Sequence, residues 1–142
     1  QVSDQFIHDR IREPSDRQRM ELRSRLGVSH PKLLAVVALM EQCLEEPLSQ
    51  TELAQKAGLS TRQLERLFRK YLSTTPTRYY LNLRLARARH LLLQTSMSIL
   101  SIALACGFVS ASHFSKCYRE IYGRTPRAER APDTLFTTRY TA

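Results

Sequence analysis

With 142 residues the chain has room for one ordinary domain, or for two very small units, and for no large architecture. Twenty-two Lys and Arg against thirteen Asp and Glu give a net charge of +9, an excess that draws a protein to a polyanion through counterion release and makes nucleic acid the first expected partner. No apolar run approaches the roughly 18–20 residues of a membrane span, and Cys43, Cys106 and Cys117 are odd in number without CxxC spacing, which argues against a disulfide framework or a zinc ribbon and fits a reducing, cytoplasmic setting.

Residues 1–29 carry six Arg against five acids, with Pro14 and Gly27 breaking any long helix. The near-cancelling charges favour a linker over a phosphate-tracking arm. No signal-peptide core is present there, and a chain starting at Gln1 is expected to be a piece of a longer protein. From Pro31 to Glu46, Leu33, Leu34, Val37, Leu39, Met40 and Leu44 recur at helical spacing, giving a first core helix.

Two short helices follow from local chemistry alone. Ser49-x-x-Glu52 is a capping box with Leu48 and Leu53 placed as a hydrophobic staple, and Ser60-x-x-Gln63 repeats it with Leu59 and Leu64. Gly58 lies between them, where a tight turn favours a residue that tolerates positive φ. Thr75-Pro76 opens a long helix to about Gln94, with Leu81, Leu85, Ala88 and Leu92 on one face. From Ser98 the short helix, Gly107 and a second helix return, Thr125-Pro126 closes the pattern, and residues 131–142 read as a flexible tail.

Setting one unit beneath the other pairs Ser60 with Ser110, Leu64 with Phe114, Phe68 with Tyr118, Arg69 with Arg119, and Thr75-Pro76 with Thr125-Pro126, at an offset of fifty. Ala54 and Gly58 pair with Ala103 and Gly107 at forty-nine, so the second turn carries one extra residue. In the first unit Leu64, Leu67, Phe68 and Tyr71 form a packing stripe, leaving Arg62, Glu65, Arg66 and Arg69 on the other side. In the second, Phe114, Cys117, Tyr118 and Ile121 pack, leaving Ser112, Ser115, Lys116 and Arg119. One amphipathic helix is ordinarily just a solvated face; two copies with the turn glycine are expected to be DNA-reading helices.

Arg62 and Arg66 suit base readout, because a guanidinium can donate two hydrogen bonds to O6 and N7 of guanine, whereas Ser112, Ser115 and Lys116 make less discriminating contacts. Glu65 must either accept from a cytosine amino group or orient a neighbouring Arg. Arg69, Lys70, Arg87, Arg89 and Arg119 are expected on phosphates; between Thr61 and Thr95 eight cations face the single acid Glu65.

The residues Leu53-Ala54-x-x-Ala57-Gly58-Leu59-Ser60, Leu64-x-Arg66-x-Phe68-Arg69, Arg84-Leu85-x-x-Ala88-x-x-Leu91-Leu92, Ile102-Ala103-x-x-Cys106-Gly107-Phe108 and Phe114-x-x-x-Tyr118-Arg119-x-x-Tyr122-Gly123-x-Thr125-Pro126 together resemble the AraC/XylS family of bacterial transcription regulators over about residues 31–127. The resemblance implies an all-α fold of about seven helices: a first helix-turn-helix subdomain over 30–75, a connecting helix over 76–95 and a second subdomain over 96–130. It implies recognition helices in successive major grooves, with base-reading positions at Arg62, Glu65, Arg66, Ser112, Ser115 and Lys116. Family members often have Phe where Tyr118 stands, and a larger amide or Arg where Ser112 and Lys116 stand. The leader, with Phe6-Ile7-His8 and then Arg17-Gln18-Arg19 before His30-Pro31-Lys32-Leu33-Leu34, resembles the linker of regulators with an amidotransferase-like sensor half, such as arginine- and carnitine-responsive regulators of pseudomonads. That implies an amino-acid or amine metabolism operon, an effector bound upstream, a homodimer on tandem sites and contact with RNA polymerase.

Other classes are weaker. His113 and Cys117 share a helical face and could recruit Cys106 for a metal or an alkyl group, but Cys117 falls where Leu67 falls and Cys106 where Ala57 falls, which are packing positions. No enzyme, cofactor or metal is expected. A membrane-surface binder would explain the charge but not the capped turns.

Overall fold

The computed structural model describes residues 16–131, and every regular element among them is helical. In chain order these are α1 (Asp16–Leu26), α2 (Pro31–Gln42), α3 (Gln50–Lys56), α4 (Thr61–Leu72), α5 (Pro76–Gln94), α6 (Ile99–Ala105), α7 (Ala111–Tyr122) and α8 (Pro126–Arg130). They fall into two compact units, with the boundary between Leu83 and Arg84 inside α5. The tail expected over 131–142 and the leader before residue 16 lie outside the described residues, apart from Ala131.

In the first unit α2 is the centre. Leu33, Leu34, Val36, Val37, Ala38, Leu39 and Met40 are all buried, so it is apolar nearly all round, as a helix enclosed by others must be. Around it gather Leu53 and Ala54 of α3, Leu64 and Phe68 of α4, and Tyr80 of α5. The helix starts with His30, whose Nδ1 accepts from the Leu33 amide at 3.4 Å, and with Pro31 in its first turn.

It ends at Gln42 and not at Glu46, a correction to the sequence reading with a clear cause. Pro47 disfavours helical backbone at Glu46, and Glu45 and Glu46 would sit at the negative end of the helix dipole. The Tyr80 hydroxyl instead donates to the Cys43 carbonyl and accepts from the Leu48 amide at 3.1 Å, pinning the connection to α3.

The eighth helix beyond the expected seven is α1. Only Met20, Leu22 and Leu26 are apolar in its eleven residues, too few to outweigh its charges when the sequence is read alone. Leu22 and, beyond the positive-φ turn at Gly27, Val28 are nevertheless buried in the first unit's core. Arg25 adds an exposed ion pair to Glu41 of α2 at 3.0 Å, of little energetic weight.

The second unit packs Leu85, Ala88 and Leu92 of α5 with Ile102, Ala103, Cys106, Phe108, Phe114, Cys117 and Tyr118. Helices α4 and α7 each close on a left-handed residue: Gly123 (φ 78) after α7, but Ser73 (φ 56) after α4. A left-handed L-residue costs about 1–2 kcal/mol, partly offset in any Gly replacement by about 0.4–1 kcal/mol of extra unfolded-chain entropy. Ser73→Gly is therefore expected to raise stability by about 0.5–1 kcal/mol in a thermal or denaturant melt. A loss would mean that the Ser73 hydroxyl contributes more than its backbone costs.

Candidate nucleic-acid interface

The turn between α3 and α4 is fixed by backbone geometry. Gly58 adopts φ 70, which lets its amide reach the Gln55 carbonyl at 3.1 Å and the Leu59 amide reach the Ala54 carbonyl at 2.8 Å. This pair of bonds satisfies the carbonyls at the end of α3, and the chain re-enters a helix two residues later. Between α6 and α7 the same pair recurs, Gly107 to Leu104 at 3.2 Å and Phe108 to Ala103 at 2.9 Å, with Gly107 at φ 85.

The helix starts differ in a telling way. Both capping boxes expected in the first unit are formed reciprocally: Ser49 with Glu52, and Ser60 Oγ accepting from the Gln63 amide at 3.1 Å while Gln63 Oε1 accepts from the Ser60 amide at 2.9 Å. In the second unit Ser98 and Ser110 accept from the Ser101 and His113 amides, at 3.0 and 3.1 Å, and no reciprocal bond returns to either cap amide among the described residues.

Packing then decides which faces remain open. On α4, Leu64 and Phe68 are buried, and Arg62, Glu65, Arg66 and Arg69 are all exposed. The side chains of Arg62, Glu65 and Arg66 form no hydrogen bond or ion pair among the described residues. Tyr71, assigned to the packing stripe, is 38% exposed instead, its ring set against His30 at 5.7 Å and under the Lys70 ammonium at 5.2 Å. It lies in the last turn of α4, where Leu72 and not Tyr71 is the side chain packed against the core.

On α7, Phe114, Cys117 and Tyr118 are buried, and Ser112, Lys116 and Arg119 are exposed. Ser115 is half-buried, in a shallow hollow shared with Lys116, Arg119, Glu120 and Thr125. The hydroxyl that distinguishes Tyr118 from phenylalanine is satisfied internally, donating to Glu129 Oε1 of α8 at 2.9 Å. Burial, followed by that bond, pushes the phenol above its ordinary value of 10.0.

The cations fall into two groups. Arg69, Lys70, Arg87 and Arg119 are exposed, whereas Arg89 is occupied: it pairs with Glu129 at 3.6 Å and lies over the Tyr122 ring at 5.3 Å, with half its side chain exposed. Arg84 is turned inward altogether. It donates to the Cys106 and Gly107 carbonyls, both at 2.8 Å, and covers the Phe108 ring at 4.2 Å, so it clamps the second turn. Lys32 of α2 does a weaker version of this in the first unit, donating to the Gly58 carbonyl at 3.3 Å.

Neither clamp was singled out in the sequence, since the partners are backbone carbonyls twenty or more residues away. Arg130 was missed for the same reason. Its guanidinium donates to the carbonyls of Leu91 (3.4 Å), Leu92 (3.1 Å) and Thr95 (3.1 Å), and also to that of Met97, capping the end of α5.

His113 Nε2 and Cys117 Sγ meet at 3.5 Å, and Cys106 is buried in the second unit's core, where burial pushes its thiol up. Among the described residues no three His, Cys, Asp or Glu gather as a metal-ligand set, and no helix is long and apolar enough to cross a membrane.

Two units, each with a glycine turn, capped entry and an exposed polar face on its second helix, define a helix-turn-helix DNA-binding domain. The profile of the helix-turn-helix domain family matches residues 53–131. The chain is 59% identical over 134 residues to the HTH-type transcriptional regulator GbdR of Pseudomonas aeruginosa, covering 94% of this chain and 36% of that protein. It is also 59% identical to a transcriptional regulator of Chromobacterium violaceum solved as an AraC-type DNA-binding-domain protein, with TM-score 0.68 over 70% of this chain and 89% of that one. A third likeness, 30% identical with TM-score 0.67 over 70% of this chain and 89% of that one, is to the DNA-binding domain of the global transcriptional factor AdpA in complex with a target DNA. The chain belongs to the AraC-type family of helix-turn-helix DNA-binding domains. It spans little more than a third of the length of the curated relatives it matches.

Proposed function

We propose that this chain is the DNA-reading part of a bacterial transcription regulator, and that its two second helices enter major grooves as unequal readers. The observation that carries this is the exposed Arg62–Glu65–Arg66 face on a doubly capped helix-turn-helix, set against the Ser112, Ser115 and Lys116 face of its repeat. Arg62 and Arg66 donate to guanine edges, Glu65 accepts from a cytosine amino group, and the second helix reads more weakly.

Arg69, Lys70, Arg87 and Arg119 hold phosphates. Arg89 joins them only by sharing its guanidinium with Glu129, so it is the weakest of the five. The whole regulator carries an effector-binding domain upstream, acts as a homodimer on tandem sites, contacts RNA polymerase and works in the cytoplasm on an amino-acid or amine operon; the resemblance of the leader supports this, and the pseudomonad relative supports the role in transcription regulation. No catalytic role is proposed.

A preferred duplex should outcompete bulk DNA by at least about 10³ at physiological salt, and equal competition overturns the proposal. Within that assay Arg87→Ala is expected to weaken all sequences alike and to lower the salt slope by about one. An unchanged slope places Arg87 in solvent.

A further inference from the structure

The extra residue of the second turn can be identified from hydrogen bonding. Leu59 and Phe108 make the equivalent bonds, to Ala54 and Ala103, so Phe108 takes the place of Leu59 and Val109 is the insertion before the helix cap Ser110. In the first unit Leu59, directly before the cap, is partly buried against the core. In the second that packing belongs to Phe108, which is 3% exposed with its ring 5.2 Å from Phe114, and Val109 is left 90% exposed.

A lone exposed apolar side chain needs no explanation by itself. Position is what gives this one meaning, because it adjoins the first residues of α7, and those are the residues of a recognition helix that approach base edges. The neighbouring Ala111 and Ser112 are small and leave the Val109 methyls unobstructed in sequence. In the major groove the one apolar group on a base edge is the thymine C5-methyl.

We propose that Val109 is a specificity residue of the second reader, packing its methyls on a thymine C5-methyl. This supplies discrimination that Ser112 and Ser115 lack, and it rests on the reading of α7 as a groove helix. The test replaces each thymine of a preferred duplex in turn by uracil and measures binding of the chain by fluorescence anisotropy.

One uracil is expected to weaken binding about fourfold, the worth of one buried methyl. Val109→Ala should weaken the thymine duplex by a similar factor and bind the thymine and uracil duplexes equally. Loss of equal size on both duplexes places Val109 on the sugar–phosphate backbone and overturns the inference, as does a scan in which no uracil matters. If the unaltered chain prefers no duplex at all, the function proposed above fails and this inference with it.

Discussion

Replacing Arg62 and Arg66 together with alanine is expected to bring affinity for a preferred duplex down to that for bulk DNA. Each bidentate guanidinium–guanine pair is worth about 1–3 kcal/mol of discrimination, so the double change removes about 2–6 kcal/mol, with some departure from additivity because the two lie one turn apart. The fold is not at stake: both side chains are exposed, form no hydrogen bond or ion pair among the described residues, and lie on the face opposite the buried Leu64 and Phe68. Replacement of both by lysine separates charge from readout. Lysine keeps the positive field but lacks the planar fork, so binding to bulk DNA should persist while preference is lost. Equal loss on every sequence after either pair of changes would assign Arg62 and Arg66 to phosphates.

The second large effect concerns stability. Arg130→Ala is expected to destabilise the second unit by about 2–3 kcal/mol, because it strands the Leu92, Thr95 and Met97 carbonyls at and just beyond the end of α5, while Leu91 keeps its bonds from Thr95, and removes a cation from the negative end of that helix. Water can reach part of the site, which keeps the figure below the sum of the separate bonds. Arg130→Lys should recover little, since one ammonium cannot span carbonyls at Leu91, Leu92 and Thr95. Denaturant unfolding of both variants measures the effect. A loss under about 0.5 kcal/mol for Arg130→Ala would mean that solvent replaces the guanidinium without cost.

What could be read from the sequence was whatever depends on neighbours in the chain. Ser49-x-x-Glu52 and Ser60-x-x-Gln63 specify their helix starts within four residues, and both form as the spacing requires. Gly58 and Gly107 adopt the left-handed backbone that their turns need. The free and packed faces of α4 and α7 largely follow from spacing too; the exceptions are Tyr71, exposed while Leu72 takes its place against the core, and Ser115, which is half-buried.

Most of what the sequence does not reveal involves partners remote in the chain. Nothing near Glu46 announces that Tyr80 holds the chain at Cys43, and nothing near Arg84, Lys32 or Arg130 announces the carbonyls they bind. Helix α1 escaped notice because two buried apolar side chains, Leu22 and Val28, are a faint signal among so many charges. Charge alone marks Arg89 for phosphate, and the fold adds that Glu129 of α8 shares its guanidinium.

The central claim is that one chain carries two helix-turn-helix readers of unequal discrimination. Selection of bound duplexes from random DNA, followed by sequencing, tests it most directly. The expected result is an enriched motif with two separate constrained blocks, one nearly invariant and rich in guanine contacts for Arg62 and Arg66, the other looser and marked by thymine. A pool that stays random, or one with a single constrained block, would contradict it.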